Sequence, residues 1–357
     1  MNNFRLEKFR ENIISNGIDG ALVYNDSNRN YLTGFTGNES YILVTQKDSI
    51  FITDSRYIEQ AQAEVSNFEV RQYDNKFTDY IISLLNDLSI KNLGFEENHM
   101  TFNIYDDLSK GLQNVNFIKL NSMIERQRQI KDEKEIENIK KAAEITDCAF
   151  SHILDFIKSG MSENSIALEL EFFIRSKGAS KLSFTSIVAS GKRSSLPHGA
   201  ASDKIVETGD FLTLDFGCVY NGYCSDMTRT IVIGNATQKQ KEIYSVVLDA
   251  NEEALKFVKP GITGEDLDKI ARKVIIDRGY GQYFGHGLGH GVGMDIHELP
   301  YVSKKGKEPL EAGMVITDEP GIYIPDFGGV RIEDLVVVTL VGAKILSHSN
   351  KQLIELT

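Results

Sequence analysis

Two hydrophobic periods alternate along the N-terminal third of the chain. Leu6-Glu-Lys-Phe-Arg-Glu-Asn-Ile-Ile14 collects its apolar residues on one side of a helix and predicts an amphipathic one. Gly20-Ala-Leu-Val-Tyr24 is a short apolar run and predicts a strand, as do Tyr41–Thr45, Ile50–Thr53, Asn92–Phe95 and Phe117–Leu120. Arg56–Val65 and Phe77–Leu88 return to helical spacing. The alternation predicts an α/β layer of about 120 residues. Gly34-Phe-Thr-Gly37 reads as a turn, because the layer has no Gly-rich phosphate fingerprint. A boundary falls within residues 122–132, which divides the chain into domains 1–126 and 127–357. Beyond it, Ile136, Ile139, Ala143, Phe150, Ile153 and Ile157 recur at roughly helical spacing among charged residues. That pattern predicts a long helix with one core-packing face and a solvated back.

Composition separates the two parts further. All six prolines lie in residues 197–357, and so do 20 of the 29 glycines. Elaborate turns, which carry most binding and catalytic groups, therefore belong to the C-terminal part. Lys and Arg total 39 against 51 Asp and Glu, a net charge of −12, with no Lys/Arg cluster to offset it. Such a surface repels phosphate backbones and argues against nucleic acid or anionic membrane as a partner. The N-terminus is charged without an apolar h-region, and no apolar run approaches the ~20 residues of a membrane helix. Cys148, Cys218 and Cys224 are too few and too irregularly spaced for a disulfide framework. The expectation is a soluble, cytoplasmic protein.

The C-terminal part repeats itself. Gly160 and Gly178 are matched, at an offset of 101, by Gly261 and Gly279. Gly209-Asp-Phe-Leu-Thr213-Leu-Asp215-Phe-Gly217 aligns, at an offset of 104, with Gly313-Met-Val-Ile-Thr317-Asp-Glu319-Pro-Gly321. Each block leads to another acid on a β-rich run, Asp226 in the first and Glu333 in the second. A duplicated helix-plus-hairpin unit would gather these four carboxylates around a pseudo-twofold axis. Asn221-Gly222 is a two-residue hairpin signal. It pairs Tyr220 with Tyr223, Gly217 with Asp226 and Asp215 with Thr228. Asp215 and Asp226 then share a face as diagonal neighbours about 7–8 Å apart. Like charges so placed raise each other's pKa unless a cation neutralises them.

Three of the seven histidines lie in Gly285-His-Gly-Leu-Gly-His290-Gly-Val-Gly-Met-Asp-Ile-His297, a glycine lattice that allows close backbone approach. His99, His152 and His348 stand alone and read as structural. Four carboxylates balance two divalent cations. One histidine among four carboxylates is an oxygen-rich set that favours Mn²⁺ or Co²⁺ over a thiolate-type zinc. Two metals roughly 3.5–4 Å apart can bridge a hydroxide and polarise a carbonyl, so the chemistry indicated is hydrolysis.

These residues resemble a known family. Leu196-Pro-His198-Gly, Asp215-Phe-Gly217, Ser225-Asp226-Met-Thr-Arg229-Thr, Gly285-His-Gly-Leu-Gly-His290-Gly-Val-Gly, Ile296-His297-Glu, Glu319-Pro-Gly321 and Val330-Arg331-Ile-Glu333-Asp occur in the order found in the pita-bread metallopeptidases. The whole chain is similar to their Xaa-Pro branch, the prolidases and aminopeptidases P. The resemblance implies a creatinase-like α/β N-terminal domain and an α+β catalytic domain with a pseudo-twofold duplicated helix and antiparallel-sheet unit. It implies hydrolysis of the Xaa-Pro bond, most simply in dipeptides, by a hydroxide bridging two divalent metals. Mn²⁺ is the leading metal, with Co²⁺ or Zn²⁺ as alternatives. Asp215, Asp226, His290, Glu319 and Glu333 would be the ligands. Glu319 would also shuttle a proton, and His297 would stabilise the carbonyl oxygen. His198 and His286 would line the substrate pocket. Arg331 would either orient the substrate carboxylate or support the site through charge-assisted bonds. Small proline-containing peptides would be the substrates, and the protein would be a homodimer. An aminopeptidase P acting on longer peptides is the alternative; a non-catalytic binding protein of this fold conflicts with the full ligand set.

Overall fold

The computed structural model describes residues 2–357, which divide into one unit ending at Arg128 and another running from Gln129 to Thr357. No helix among the described residues is long and apolar enough to cross a membrane.

The first unit is built on a mixed sheet of six strands among the described residues. In spatial order these are Glu69–Gln72, Ser49–Thr53, Ser40–Thr45, Gly20–Val23, Asn92–Phe95 and Asn116–Lys119. Gly20–Val23 pairs antiparallel with Ser40–Thr45 and parallel with Asn92–Phe95. Ala21, Leu22 and Val23 on it are fully buried, which is why this strand reads as a continuous apolar run. The predicted strands and helices of this unit are present, with ends shifted by one or two residues in most cases and by four at the start of the first helix, Asn2–Ser15. The pattern missed the Asp26–Thr33 helix, the Phe102–Gly111 helix and the edge strand Glu69–Gln72. Asp26–Thr33 is short and polar, so its stability comes from its ends and its buried Tyr31 and Leu32. The Asn25 side chain accepts from the Asn28 N–H at the start, and Gly34 closes the other end at φ 82°.

The second unit passes twice through the same plan. Glu133–Phe156 opens with a capping box between Asp132 and Glu135 and buries Ile139, Ala143, Phe150 and Ile153. Glu163–Ser176 follows, and then the antiparallel strands Ile187–Ser190, Phe211–Phe216 and Met227–Ile233. The second pass has Gln238–Leu255, Gly264–Asp277, and strands Gly289–Gly291, Val315–Asp318 and Asp334–Val338. The repeated glycines mark the joints. Gly160 and Gly261 adopt φ of 96° and 92°, two residues before the caps Ser162 and Thr263; Gly178 and Gly279 adopt 98° and 83° after the helices end. A side chain in that left-handed region is strained, so both copies use glycine.

Each helix pair packs on its own strands. Ala142, Ala149, Ile166 and Leu170 meet Leu212, Leu214 and Ile231 in one cluster. Val247, Leu267 and Ala271 meet Ile316, Ile322 and Val336 in the other. Full burial of one such valine, leucine or isoleucine stabilises by about 1.5–3 kcal/mol, so these cores hold the strands that carry the acids.

The hairpin has the predicted register at its ends, Tyr220 opposite Tyr223 and Asp215 opposite Thr228. Asn221 and Gly222 both have positive φ, 48° and 82°, as the tight turn requires. The ladder is interrupted in the middle, and Gly217 opposite Asp226 is not one of its pairs. A Cβ on Gly217 would lie 1.9 Å from the Ser225 carbonyl oxygen, and the Ser225 hydroxyl accepts the Cys218 N–H instead. Asp226 therefore stands just outside the strand that starts at Met227.

Candidate metal centre

Four acids arrive at one place from four points of the duplicated unit. Asp215 is on Phe211–Phe216, Asp226 precedes Met227–Ile233, Glu319 follows Val315–Asp318, and Glu333 precedes Asp334–Val338. Asp215, Asp226 and Glu333 are buried. Asp226, His290 and Glu333 each offer a ligand atom within 4.8 Å of the others. His290 Nε2 lies 3.6 Å from Asp226 Oδ2 and 3.3 Å from Glu319 Oε1. Its Nδ1–H donates to the Gly291 carbonyl at 3.1 Å, which turns Nε2 toward the acids. The glycines around His290 serve backbone approach, but to other strands. A Cβ on Gly289 would lie 2.2 Å from the Thr317 carbonyl oxygen, and one on Gly291 would lie 2.2 Å from that of Leu299.

Arg331 and two threonines hold three of these acids, Asp215, Glu333 and Glu319. Arg331 donates from Nε to Thr228, from Nη1 to Tyr323 and the Pro197 carbonyl, and from Nη2 to Asp215. The Thr228 hydroxyl donates to Glu333 Oε2 at 2.7 Å, and that of Thr317 to Glu319 Oε1 at 3.1 Å. The functional contacts of Thr228, Thr317 and Tyr323 carry no distinctive mark in the sequence. Thr317 and Thr228 lie inside the repeat and motif blocks, where a hydroxyl among apolar strand positions is the signal they offer.

The second oxygens, Asp215 Oδ1 and Glu333 Oε1, are buried and accept no hydrogen bond. An unsatisfied buried carboxylate oxygen costs on the order of 1–3 kcal/mol or more. Burial, then the charges of the neighbouring acids, push the Asp226 and Glu333 carboxyls well above the usual carboxylate range. Burial also raises Asp215, against the pull of Arg331. For Glu319 burial acts upward too, but the His290 hydrogen bond and charge, with His286 and Arg331, outweigh it and bring it to about 2. His290 is lowered by burial and raised by Glu319, with a net rise. Unpaired oxygens, repelling carboxyls and one aimed imidazole suit a hard divalent cation.

The sign of the pH dependence follows. Raised carboxyl pKa values at Asp226 and Glu333 mean that the cation-free fold holds protons the unfolded chain releases, so these groups destabilise it near neutrality. The penalty shrinks as pH falls toward the ordinary carboxylate range. The raised His290 contributes stability below the ordinary histidine pKa and loses it as pH rises through the raised value. Glu319, at about 2, contributes stability that is complete above the ordinary glutamate pKa and is lost as pH falls from there toward about 2, so it does not alter the balance between about pH 6 and about pH 8. Chelator-treated protein should therefore unfold at a higher temperature near about pH 6 than near about pH 8. Protein loaded with a divalent ion should show the reverse, since its ligands must shed protons to bind. A calorimetric scan at both values checks this, and cation-free protein less stable at the lower pH would contradict it.

The centre forms the floor of a cavity of about 790 Å³. Phe184, Ile187, Phe284 and Ile296 give it apolar walls, and His198, His286 and His297 also line it. The His297 ring packs 4.3 Å from that of His290. Burial and the His290 charge depress its pKa, leaving it neutral at neutral pH. Both nitrogens of His286 are engaged, Nδ1 with the Gly287 carbonyl and Nε2 with the Tyr323 hydroxyl, each at 2.8 Å. His286 thus offers its ring, rather than a free nitrogen, to the cavity.

A buried cluster of carboxylates and one histidine, set between the halves of a duplicated helix-and-sheet unit, has the donor set of a metal centre. The chain belongs to metallopeptidase family M24, which it matches over residues 137–340, and residues 5–130 match the creatinase/prolidase N-terminal domain. It is 42% identical to the Xaa-Pro dipeptidase of Pyrococcus horikoshii, over 99% of each chain. Its structure is similar to that of an Xaa-Pro dipeptidase from Bacillus anthracis, with a TM-score of 0.97, 45% identity and full coverage of both chains. It is also similar to an X-Pro aminopeptidase from Thermotoga maritima, with a TM-score of 0.88 and 43% identity over 95% of this chain and 97% of that one.

Proposed function

We propose that this chain hydrolyses the Xaa-Pro bond of dipeptides with two divalent metal ions, Mn²⁺ first among them, held by Asp215, Asp226, His290, Glu319 and Glu333. The observation that carries the reading is the pair of unpartnered buried oxygens, Asp215 Oδ1 and Glu333 Oε1, in a cluster that includes three further donors. Relatives named as Xaa-Pro dipeptidases support the substrate class. Such ions would acidify a water for attack at neutral pH and would act as a Lewis acid for the scissile carbonyl. The chain's own residues do the rest. Glu319 takes the proton of the attacking water on its carboxylate and passes it to the leaving proline nitrogen, which has no N–H of its own. His297, neutral, donates an N–H to the oxygen on which charge develops. Phe184, Ile187, Phe284 and Ile296 give the ring an apolar surface and limit water. Arg331 supports Asp215 and Thr228 through charge-assisted hydrogen bonds. The cations on the cavity wall with exposed side chains are Lys304 and Lys305, which can meet a dipeptide's carboxylate. The homodimer implied by the resemblance belongs to this reading, and sedimentation tests it.

The Thermotoga relative favours a second reading, an aminopeptidase on longer peptides with the same chemistry. Purified protein with Mn²⁺ should cleave an Xaa-Pro dipeptide faster than the corresponding Xaa-Pro-Xaa tripeptide, by kcat/KM. Equal or faster cleavage of the tripeptide would replace the first reading with the second.

A further inference from the structure

We infer that Thr228 is a positioning residue for the metal centre: its hydroxyl occupies one oxygen of Glu333 and so directs the other to the cation. The inference rests on Glu333 being a ligand.

Thr228 is fully buried in the strand Met227–Ile233 and lies opposite Asp215 in the ladder. Its carbonyl and its hydroxyl both engage Glu333. The Glu333 backbone N–H donates to the Thr228 carbonyl at 3.1 Å, and the Thr228 hydroxyl donates to Glu333 Oε2 at 2.7 Å. The direction of that second bond is imposed from behind. Arg331 Nε, which can only donate, fills the acceptor side of the hydroxyl at 2.9 Å, so the single O–H proton goes to the carboxylate. Arg229, itself buried, donates from Nη1 to the carbonyls of both Thr228 and Glu333 and ties the two backbones together.

The result is selective. Glu333 Oε2 is satisfied, whereas Oε1 is buried without a partner. The same guanidinium that orients the Thr228 hydroxyl donates from Nη2 to Asp215 Oδ2 and leaves Asp215 Oδ1 without a partner. One Arg331–Thr228 unit thereby sets two carboxylates on two different segments, each with one oxygen engaged and one free. Valine has the shape of threonine and would fill the site, but it has no proton for Oε2 and no acceptor for Nε.

The test compares Thr228→Val and Thr228→Ser with the wild type, titrating Mn²⁺ into chelator-stripped, dialysed protein and following heat and bound metal. Outer contacts to metal ligands are typically worth 10–100-fold in affinity. Thr228→Val should bind at least one ion about 10-fold or more weakly, and Thr228→Ser, which keeps the hydroxyl, should recover most of it. Mn²⁺ binding by Thr228→Val equal to the wild type would overturn the inference. An equal loss in Thr228→Ser would overturn it too, because the methyl packing and not the hydroxyl would then matter. Thr228→Ala replaces the valine variant should that protein not fold, since alanine also lacks the donor. A wild type that takes up no Mn²⁺ would instead defeat the metal reading itself, so the two failures are distinguishable.

Discussion

Stripping divalent ions with a chelator should lower Xaa-Pro dipeptide hydrolysis by at least about 10³-fold, and added Mn²⁺ or Co²⁺ should restore it. A Lewis acid supplies several kcal/mol of transition-state stabilisation, and each 1.36 kcal/mol is tenfold in rate. Among the described residues, the cationic groups at the centre are already engaged. Arg331 is bound to Asp215, Thr228, Tyr323 and the Pro197 carbonyl, and His290 is drawn to Glu319. Glu333→Gln should behave like chelation, because an anionic ligand with a free oxygen becomes a neutral amide. Its metal content, read by elemental analysis, should fall together with its rate. Full activity in the stripped wild type would end the metallopeptidase mechanism; unchanged metal in Glu333→Gln would remove Glu333 from the ligand set.

Glu319→Gln is expected to lower kcat by about 10²–10⁴-fold, the usual loss when a general base is removed. The amide is nearly isosteric and can still accept the Thr317 hydroxyl through its oxygen, so the fold should persist. It cannot hold the proton of the attacking water. The proton shuttle acts in the transition state, so kcat and kcat/KM should fall together while KM changes little. Measurement at saturating Mn²⁺ separates this effect from weaker metal binding. Wild-type kcat under those conditions would assign the proton transfer to another group.

Much of the centre could be read from residue order, because its signals are local. Asn221-Gly222 specifies its turn within four residues, and from it the pairing of Asp215 with Thr228 follows by counting. The repeated glycines mark positive φ at matching joints, a backbone need that glycine meets wherever it occurs. Long apolar-periodic helices such as Glu133–Phe156 state their buried face directly. Short polar elements carry no such local signal. Asp26–Thr33 has a polar sequence, and its helix depends on a cap and on burial of Tyr31 and Leu32.

Other features exist only once distant segments meet. Arg331 lies two residues from Glu333, which by itself leaves open a role toward the substrate carboxylate or in support of the site; only the fold joins its guanidinium to Asp215, 116 residues earlier. Thr228 looks like an ordinary strand residue until Glu333, 105 residues later, is brought under its hydroxyl. The interruption at Gly217 and Ser225 depends on a backbone contact that no spacing rule contains. The physical reason is the same in each case. Turn geometry and helical period are properties of adjacent residues. The protonation of a buried acid, and the choice of which of its oxygens stays free, are set by whatever the fold packs against it.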